Sequence, residues 1–519
     1  MLLGVLGAGV FLAGLELMVT AVALPSIVTD LASWTQLRKA SWIINGYLLA
    51  YVVTMPLAGR LADQWGARRL FLGGLVLFTV GSLIAGRAQS LEELIAGRVV
   101  QAIGGGILVP VGTAAASHLF DDHDRPRALG VIGGLTFLGM AAGPFVGAWI
   151  LSGFHPATAL EGAGITAGPL YDALAAAWRY VFYVNVPIGI AALALAWAAS
   201  DGWETQREAG PVDLGGAAAF SVGIAMVLLA TTLAGSQDVA GLGGGTVVAL
   251  ALALAIAAGL GALALAAWFG AHHPRPFLDT RLFRFPAFSS AALISLLTGY
   301  GFATAIVGGA VFVDRVLYGG PEVQRVALGA LAAATAVGAL VSGFALRALG
   351  LRLVTATGLI LSAGALVRMA AWIPMTRIGE VAALMGVFGL GFGLTVTPRS
   401  TAAVNAVGRA AFGVASATVT VARMLGMAVG LATLTAFGST TIDRLSREIY
   451  ATPESYKLFI PAALRDRPLK DGLVVQALEE WASGEAARIL VGVFLVAAAV
   501  TLVALIPALA LGRRRILEL

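Results

Sequence analysis

The sequence predicts an all-α, polytopic membrane protein made of two six-helix repeats with two further helices inserted between them. Three observations predict this fold class. Hydrophobic residues make up 59% of the 519-residue chain and charged residues only 12%, whereas a soluble domain carries about 25% charge. Apolar runs of about 20 residues, long enough to cross a bilayer as a helix, recur along nearly the whole chain. Two glycine-rich motifs also occur twice in the same order.

The apolar runs give fourteen predicted spans. They lie at about 4–27, 42–61, 70–87, 94–117, 128–152, 179–199, 213–234, 245–269, 287–311, 323–346, 352–373, 381–403, 413–436 and 487–511. Basic residues in short loops favour the cytoplasmic side. With a cytoplasmic N-terminus, sixteen arginines, Arg399 among them, fall on the inner side, against seven basic residues outside. We therefore predict a multi-pass protein of the cell membrane with both termini in the cytoplasm.

Three segments of the first half of the sequence recur in the second half. The pairs "LGMAAGP"/"LGMAVGL" and "IGGG"/"LGFG" share an offset of 287 residues, and "GRLADQWGARR" aligns with "GFALRALGLR" at an offset of 284. This order indicates a tandem duplication in which both halves keep the same orientation, one of the known transporter architectures. We predict three units: a first six-helix bundle at 1–200, a linker with two inserted helices at 201–285, and a second six-helix bundle at 286–519. The second bundle includes an outer loop at 437–486.

Five motifs, in order, carry a family resemblance. They are "LAGLELMVTAVALPSI" at 12–27, "GRLADQWGARR" at 59–69, "RVVQAIGGG" at 98–106, "GMAAGPFVG" at 139–147 and "WRYVFYVNVPIG" at 178–189. The chain resembles the major facilitator superfamily, specifically its fourteen-helix drug:proton antiporter branch. It departs from the pattern with Glu16 in place of the usual Asp and with Ala148 in place of a second glycine. The stretch 413–432 is also similar to the mycobacterial triacylglyceride exporter of this superfamily.

Glu16 is the carboxylate placed deepest in any predicted span, about 18 Å from the inner boundary at 1.5 Å per residue. A charge at this depth is expensive and indicates a functional site; the alternative is a carboxylate held by structural hydrogen bonds. Arg98 enters the fourth span from outside, either close to Glu16 or extended back to the interface. The resemblance implies a role in proton transfer for Arg98. Gln101 shares its helix face and is a candidate for the cavity wall.

Arg423 lies near the middle of the thirteenth span, where exposure to lipid would be costly. We therefore predict that it faces a substrate cavity, as we do for Glu16. Asp63, Arg60 and Arg68 lie at the predicted cytoplasmic rim and are candidates for a charged gate. The second repeat has Arg347 where Asp63 stands, so it offers no acid there.

Small residues recur along the fifth span at Gly139, Gly143 and Gly147, with Pro144 among them. Such a face lets helices pack closely, and the proline removes one backbone hydrogen bond. The resemblance implies that these residues are the antiporter motif of the family, which forms a close-packed helix contact that seals the cytoplasmic side of the cavity. Ordinary packing is the alternative, and it fits the second copy better because Leu431 replaces the proline.

The sequence argues against an enzyme. Its five histidines lack metal-ligand spacing, and none of Lys39, Lys457 and Lys470 follows a glycine, so a phosphate-binding loop is absent. We predict no cofactor, no metal and no nucleic-acid partner, and a proton gradient as the energy source.

The main functional prediction is a proton-coupled exporter of amphipathic or cationic small molecules, of the multidrug-efflux type, working by alternating access. The alternative within transport is a lipid or glycolipid exporter that acts with an extracytoplasmic partner at the 437–486 loop. A third hypothesis, from another class, is a non-transporting sensor or scaffold. Membrane lipids, an amphipathic or lipid substrate and protons are the expected partners.

Overall fold

The structure is a computed structural model that describes residues 2–31, 42–199, 203, 213–234, 245–273, 280–407, 411–449, 454–468 and 471–512. Lys39 and Lys470, considered above, lie outside these residues. Long helices dominate the described chain. They are α1 (Leu2–Leu31), α2 (Trp42–Trp65), α3 (Ala67–Arg87), α4 (Leu91–Leu119), α5 (Arg125–Gly153), α6 (Asn185–Ala198), α7 (Leu214–Ala234), α8 (Gly245–His272), α9 (Pro286–Val311), α10 (Gly320–Met369), α11 (Ile378–Asn405), α12 (Phe412–Ile449) and α13 (Gly472–Val503).

The helices match the predicted spans in place but not in number. Among the described residues, twelve helical stretches are long and apolar enough to cross a membrane, so the predicted count of fourteen is not confirmed. Two predicted spans form one continuous stretch, α10, which is interrupted only by the non-helical backbone of Gly350 (φ 75°, ψ 169°). A third predicted span corresponds to α7, a helix of 21 residues that is not among those twelve.

Each repeat contributes most of one apolar core. One cluster joins residues of α1 to α4, such as Val10 and Phe71, and also includes Val421 and Met424 of α12; a second joins α9 to α11 and α13. Phe137 and Met140, on α5 of the first half, belong to the second cluster. The two bundles therefore interlock at mid-depth through α5.

The helices inserted between the halves pack on each other. Gly223 on α7 and Gly259 on α8 allow close approach, since a Cβ built at Gly223 would lie 2.9 Å from the Gly259 carbonyl oxygen. Phe220 on α7 also lines a cavity with α2, α9 and α12. Small residues thus let α7 and α8 form a hairpin that touches the core through α7.

Candidate functional site

The carboxylate of Glu16 lies at the centre of a buried polar cluster within the first half. Its side chain is 0% exposed. Oε1 accepts a hydrogen bond from the Thr20 hydroxyl at 2.8 Å and forms an ion pair with Arg98 on α4. Oε2 accepts a hydrogen bond from Asn185 Nδ2 on α6 at 2.6 Å. Three helices therefore hold this carboxylate, and the structure brings together the two residues to which the sequence assigned proton coupling.

Arg98 is held by several groups besides Glu16. Its Nε donates to the Ile43 carbonyl oxygen at 3.3 Å, and its Nη1 donates to Gln101 Oε1 at 2.6 Å. Gln101 in turn donates from Nε2 to the Ser82 hydroxyl at 2.8 Å. Arg98 is only 2% exposed, so it does not extend to the interface. Gln101 is fully buried in this network rather than placed on an open cavity wall.

A pair of tyrosines on α2 continues from this cluster toward the second half. The guanidinium carbon of Arg98 lies 4.0 Å from the centre of the Tyr47 ring. Tyr47 and Tyr51 stack with ring centres 5.7 Å apart, and Tyr51 packs in the same apolar cluster as Val421 and Met424 of α12. The Tyr47 hydroxyl is buried without a hydrogen-bond partner among the residues described. An aromatic path thus links the carboxylate cluster to α12.

Arg423 is half-buried on α12. Its guanidinium carbon lies 5.6 Å from the centre of the Phe137 ring on α5. A second interior arginine, Arg399 on α11, is 1% exposed and donates from Nη1 to the Thr298 hydroxyl at 2.6 Å. The charge count placed Arg399 with the arginines of the inner loops, although the predicted span 381–403 contains it; the structure corrects the count because Arg399 lies within α11, with its side chain buried against α9.

The predicted gate residue Asp63 joins the two halves. Its Oδ1 accepts the backbone N–H of Gly413 at 2.8 Å, and its Oδ2 accepts that of Val414 at 2.9 Å. Both donors lie in the first turn of α12, where backbone N–H groups lack partners within the helix and the helix dipole is positive. Arg60, one turn earlier on α2, is buried, and Arg68 on α3 is half-buried. We call this end of the bundle the gate end.

The second repeat contributes a different contact at the gate end. Arg347 on α10 donates to Asp124 Oδ1 at 2.7 Å and to the His123 carbonyl oxygen, both just before α5. The arginine that replaces the acid therefore makes its own bond across the halves. In the first repeat the carboxylate of Asp63 binds the start of α12, and in the second repeat the guanidinium of Arg347 binds residues just before α5.

Glycines let the backbones touch beside these bonds. A Cβ built at Gly59 would lie 2.5 Å from the Gly413 carbonyl oxygen. In the other pair, a Cβ built at Gly343 would lie 3.3 Å from the Gly130 Cα. Gly59 and Gly343 are the equivalent positions of the duplication, so the gate end closes with approximate two-fold symmetry.

The antiporter motif packs within the first half. A Cβ at Gly143 would lie 2.8 Å from the Leu15 carbonyl oxygen on α1, and one at Gly147 would lie 3.3 Å from a Val19 side-chain carbon. Gly139 faces the backbone of Phe11 in the same way. Pro144 is half-buried, and α5 runs through it as one helix. The glycines of the motif therefore pack α5 against the helix that carries Glu16, whereas Met140 and Phe145 in the same motif contact the second half.

The second copy of the motif packs in the same way. Gly426 and Gly430 on α12 face Leu296 and Tyr300 on α9, and a Cβ at Gly430 would lie 2.7 Å from the Tyr300 carbonyl oxygen. The close packing does not need the proline. Glycine spacing alone sets the contact in both halves.

The predicted outer segment consists largely of extended helices. α12 has 38 residues and α13 has 32, about 57 and 48 Å at 1.5 Å per residue. Between them, Tyr456 and Ile460 pack against Val474 in a small separate cluster. Hydrogen bonds from the backbone, first from Leu473, lower the pKa of Asp471, which caps α13. Both helices are longer than the roughly 30 Å hydrocarbon core of a bilayer.

Known proteins match this chain along most of its length. The profile of the Major Facilitator Superfamily matches residues 6–431. A triacylglyceride transporter of Mycolicibacterium hassiacum is 30% identical over 460 residues, which cover 85% of this chain and 80% of that protein. The multidrug resistance protein B homolog of Mycobacterium tuberculosis is 27% identical over 525 residues, covering 97% and 88% of the two chains.

Solved structures agree on the fold. The crystal structure of a human organic anion transporter superposes with a TM-score of 0.63 at 13% identity, covering 98% of each chain. A bacterial homologue of the human lysosomal transporter Spinster gives 0.59 at 17% identity, with 98% and 97% covered. The all-helical fold, the profile match and the transporter relatives lead to one conclusion. The chain is a multi-pass membrane transporter, not an enzyme, and it belongs to the Major Facilitator Superfamily.

Proposed function

We propose that the protein is a proton-coupled exporter of amphipathic molecules that works by alternating access. The buried cluster around Glu16 carries this proposal. An ionised carboxylate in a low-dielectric interior costs free energy that an ion pair offsets only in part. Protonation removes the charge of Glu16 and its attraction to Arg98, while Gln101 and the Ile43 carbonyl still hold the arginine. Glu16 is therefore placed to bind a proton, and the loss of its charge on binding weakens its contact with Arg98.

The interior charges support a lipid-like substrate more than a cationic drug. Arg399 and Arg423 place two positive charges near the contact between the halves, and like charges repel strongly at low dielectric. A cavity of about 380 Å³ between α2, α7, α9 and α12 is lined almost entirely by apolar side chains, such as Pro56, Leu296 and Leu425. A hydrocarbon tail fits such a lining. Several relatives are named triacylglyceride transporters, which supports the same substrate class.

Multidrug efflux is the second candidate. The relative named a multidrug resistance protein B homolog aligns with 97% of this chain. Under this function the Glu16 cluster keeps its role, and the substrates are amphipathic drugs of small size. Transport assays with a lipid and a cationic dye on the same preparation separate the two candidates.

We also propose a topology of fourteen spans in the plasma membrane with both termini cytoplasmic. α10 has 50 residues, about 75 Å at 1.5 Å per residue, which is more than twice the hydrocarbon thickness of about 30 Å. A break at Gly350 divides it into two crossings. With α7 as a further crossing, the count reaches fourteen. Labelling of single cysteines placed on each side of the membrane tests this topology.

The proton role is tested by Glu16→Gln in proteoliposomes with an imposed pH gradient. Glutamine keeps the shape and the hydrogen-bonding capacity but does not titrate, so we expect gradient-driven transport to be lost while insertion and folding are retained. The matched control is Asp30→Asn on the same helix. Asp30 is 44% exposed and accepts a hydrogen bond from Trp178, so gradient dependence should persist. Full gradient-driven transport by Glu16→Gln would exclude this carboxylate as the coupling site.

A further inference from the structure

Two arginines lie inside the second half without a carboxylate to balance them. Neither Arg399 nor Arg423 makes an ion pair within the part of the chain that the structure describes, and the buried Nε of Arg423 has no hydrogen-bond partner there. Among the described residues, Arg399 has one hydrogen-bond acceptor, the Thr298 hydroxyl. An uncompensated charge in a low-dielectric interior is costly. The arrangement therefore favours a negative group that comes from outside the chain.

The two arginines flank the same turn of α9. Arg399 bonds to Thr298, and the next residue, Gly299, packs against the backbone of Arg423. The rings beneath the two guanidinium groups, Phe392 and Phe137, touch each other edge to face. An anion placed between the two guanidinium groups would interact with both, and Arg side chains bind phosphate and carboxylate through paired N–H groups.

Aromatic rings surround this pair of charges. The guanidinium carbon of Arg399 lies 5.0 Å from the ring centre of Phe392, as Arg423 lies over Phe137. The Phe137 and Phe392 rings meet edge to face at 5.6 Å, and Phe302 stacks on Phe392 at 4.3 Å. Phe137 belongs to the first half and the other rings to the second. The site thus combines positive charge with an apolar wall at the contact between the halves.

We infer that Arg399 and Arg423 bind the anionic head group, a phosphate or a carboxylate, of a single-chain or multi-chain lipid amphiphile whose apolar part lies on the phenylalanines. This inference rests on the proposed export function and names its substrate class. A head group held by both arginines touches α11 and α12, and its apolar part touches α5. Release of the substrate and separation of the halves are then linked, because the site is complete only while Phe137 of the first half lies under Arg423 and against Phe392.

The test is binding to purified full-length protein with probes that share one oleoyl chain: lysophosphatidate, lysophosphatidylcholine and monooleoylglycerol. We expect lysophosphatidate to bind about tenfold or more tightly than monooleoylglycerol, since hydrogen bonds between charged groups are the strong ones. Arg399→Gln and Arg423→Gln should each remove most of this preference. Arg325→Gln is the matched control, because Arg325 also lies over a phenylalanine, Phe145, at 5.2 Å but is 32% exposed and paired with Glu322.

Equal affinity for lysophosphatidate and monooleoylglycerol in the unmodified protein would overturn the inference, whether or not the variants fold. A binding measurement with inorganic phosphate alone distinguishes a site for a lipid head group from a site for a free anion. If inorganic phosphate binds as tightly as lysophosphatidate, the inference that the ligand is a lipid is overturned. Proton-driven efflux of a cationic dye is measured in parallel. If efflux persists without an anionic preference, this inference fails and the proposed function stands. If efflux and lipid transport are both absent while lysophosphatidate binding depends on the arginines, the proposed function fails and the site stands.

Discussion

Asp63→Asn should open the gate end, and the structure gives the size of the effect. Each carboxylate oxygen of Asp63 accepts one backbone N–H from the start of α12, at 2.8 and 2.9 Å. Asparagine keeps one acceptor and turns an NH₂ group toward the other N–H, so at least one charge-assisted bond is lost. Such a bond contributes about 1.5–3 kcal/mol in a buried site, and Asp63 is 2% exposed. We therefore expect Asp63→Asn to destabilise the closed gate end by about 2 kcal/mol, which increases the equilibrium constant for opening about 30-fold.

The bond made by Arg347 should matter much less. Its partner Asp124 is 53% exposed, and exposed ion pairs contribute about 0–1 kcal/mol. Arg347→Gln should therefore change the opening equilibrium by less than about fivefold. Its effect should also shrink at high salt, because solvent-exposed charges are screened. The two variants differ in burial and sit on equivalent sides of the duplication, so each is a control for the other.

The assay is a distance measurement between spin labels on the two halves. The chain has no cysteine, so Trp65→Cys and Leu349→Cys provide the only two thiols. Both positions are exposed, at 52% and 53%, and both lie at the gate end. Asp63→Asn should move population from the short to the long distance. An unchanged distribution, or a larger shift with Arg347→Gln, would refute the argument that the buried contact at the start of α12 holds this end closed.

Two further predictions concern the glycine seam and the outer segment. Gly143→Ala should destabilise the protein by about 1–3 kcal/mol, as overpacking does, because the new Cβ would lie 2.8 Å from the Leu15 carbonyl oxygen. Gly73→Ala, in a helix with nothing within 4 Å of the new atom, should leave the melting temperature unchanged or raise it. Shortening 437–486 to a tight linker should impair lipid transport severely and cationic dye efflux only mildly, since a lipid that leaves the bilayer must be kept from water. Loss of dye efflux with intact lipid transport would contradict the lipid substrate.

The sequence predicts the contact between Glu16 and Arg98 as one of two alternatives, because a deep carboxylate and a deep arginine in an apolar chain have few other partners, but an arginine near a helix end can also extend to the interface. It did not identify Asn185, which donates to the same carboxylate. That residue stands in the quoted motif "WRYVFYVNVPIG", but amide side chains at the start of a helix are common and carry no charge cost that would mark them. Only the packing of α6 against α1 shows that the amide faces inward.

Arg399 illustrates a different limit. It lies near the end of the predicted span 381–403, where a basic residue ordinarily marks the cytoplasmic boundary, and the apolar run alone does not show that its side chain is buried between helices. A proline within a span is tolerated when neighbouring helices satisfy the backbone. The sequence "TVTPRST" gives one signal in retrospect, because short polar residues on both sides of the arginine suit a polar interior better than a loop.

The helix α2 connects all three parts of the site. Tyr47 and Tyr51 are four residues apart and share one face of α2, whereas Asp63, twelve residues further on, lies about 120° around the helix at about 100° per residue. Tyr47 lies under Arg98, Tyr51 packs in the same apolar cluster as residues of α12, and Asp63 binds the first turn of α12. Under the proposed proton coupling, protonation of the carboxylate on α1 would remove the charge that Arg98 pairs with, and Tyr47 lies directly under that arginine. Pro56 lies on α2 between Tyr51 and Asp63 and removes one backbone hydrogen bond there. A bend or tilt of α2 at this point would change the tyrosine contacts and the gate contact in one movement, which is the coupling that an exchanger of protons and substrate requires.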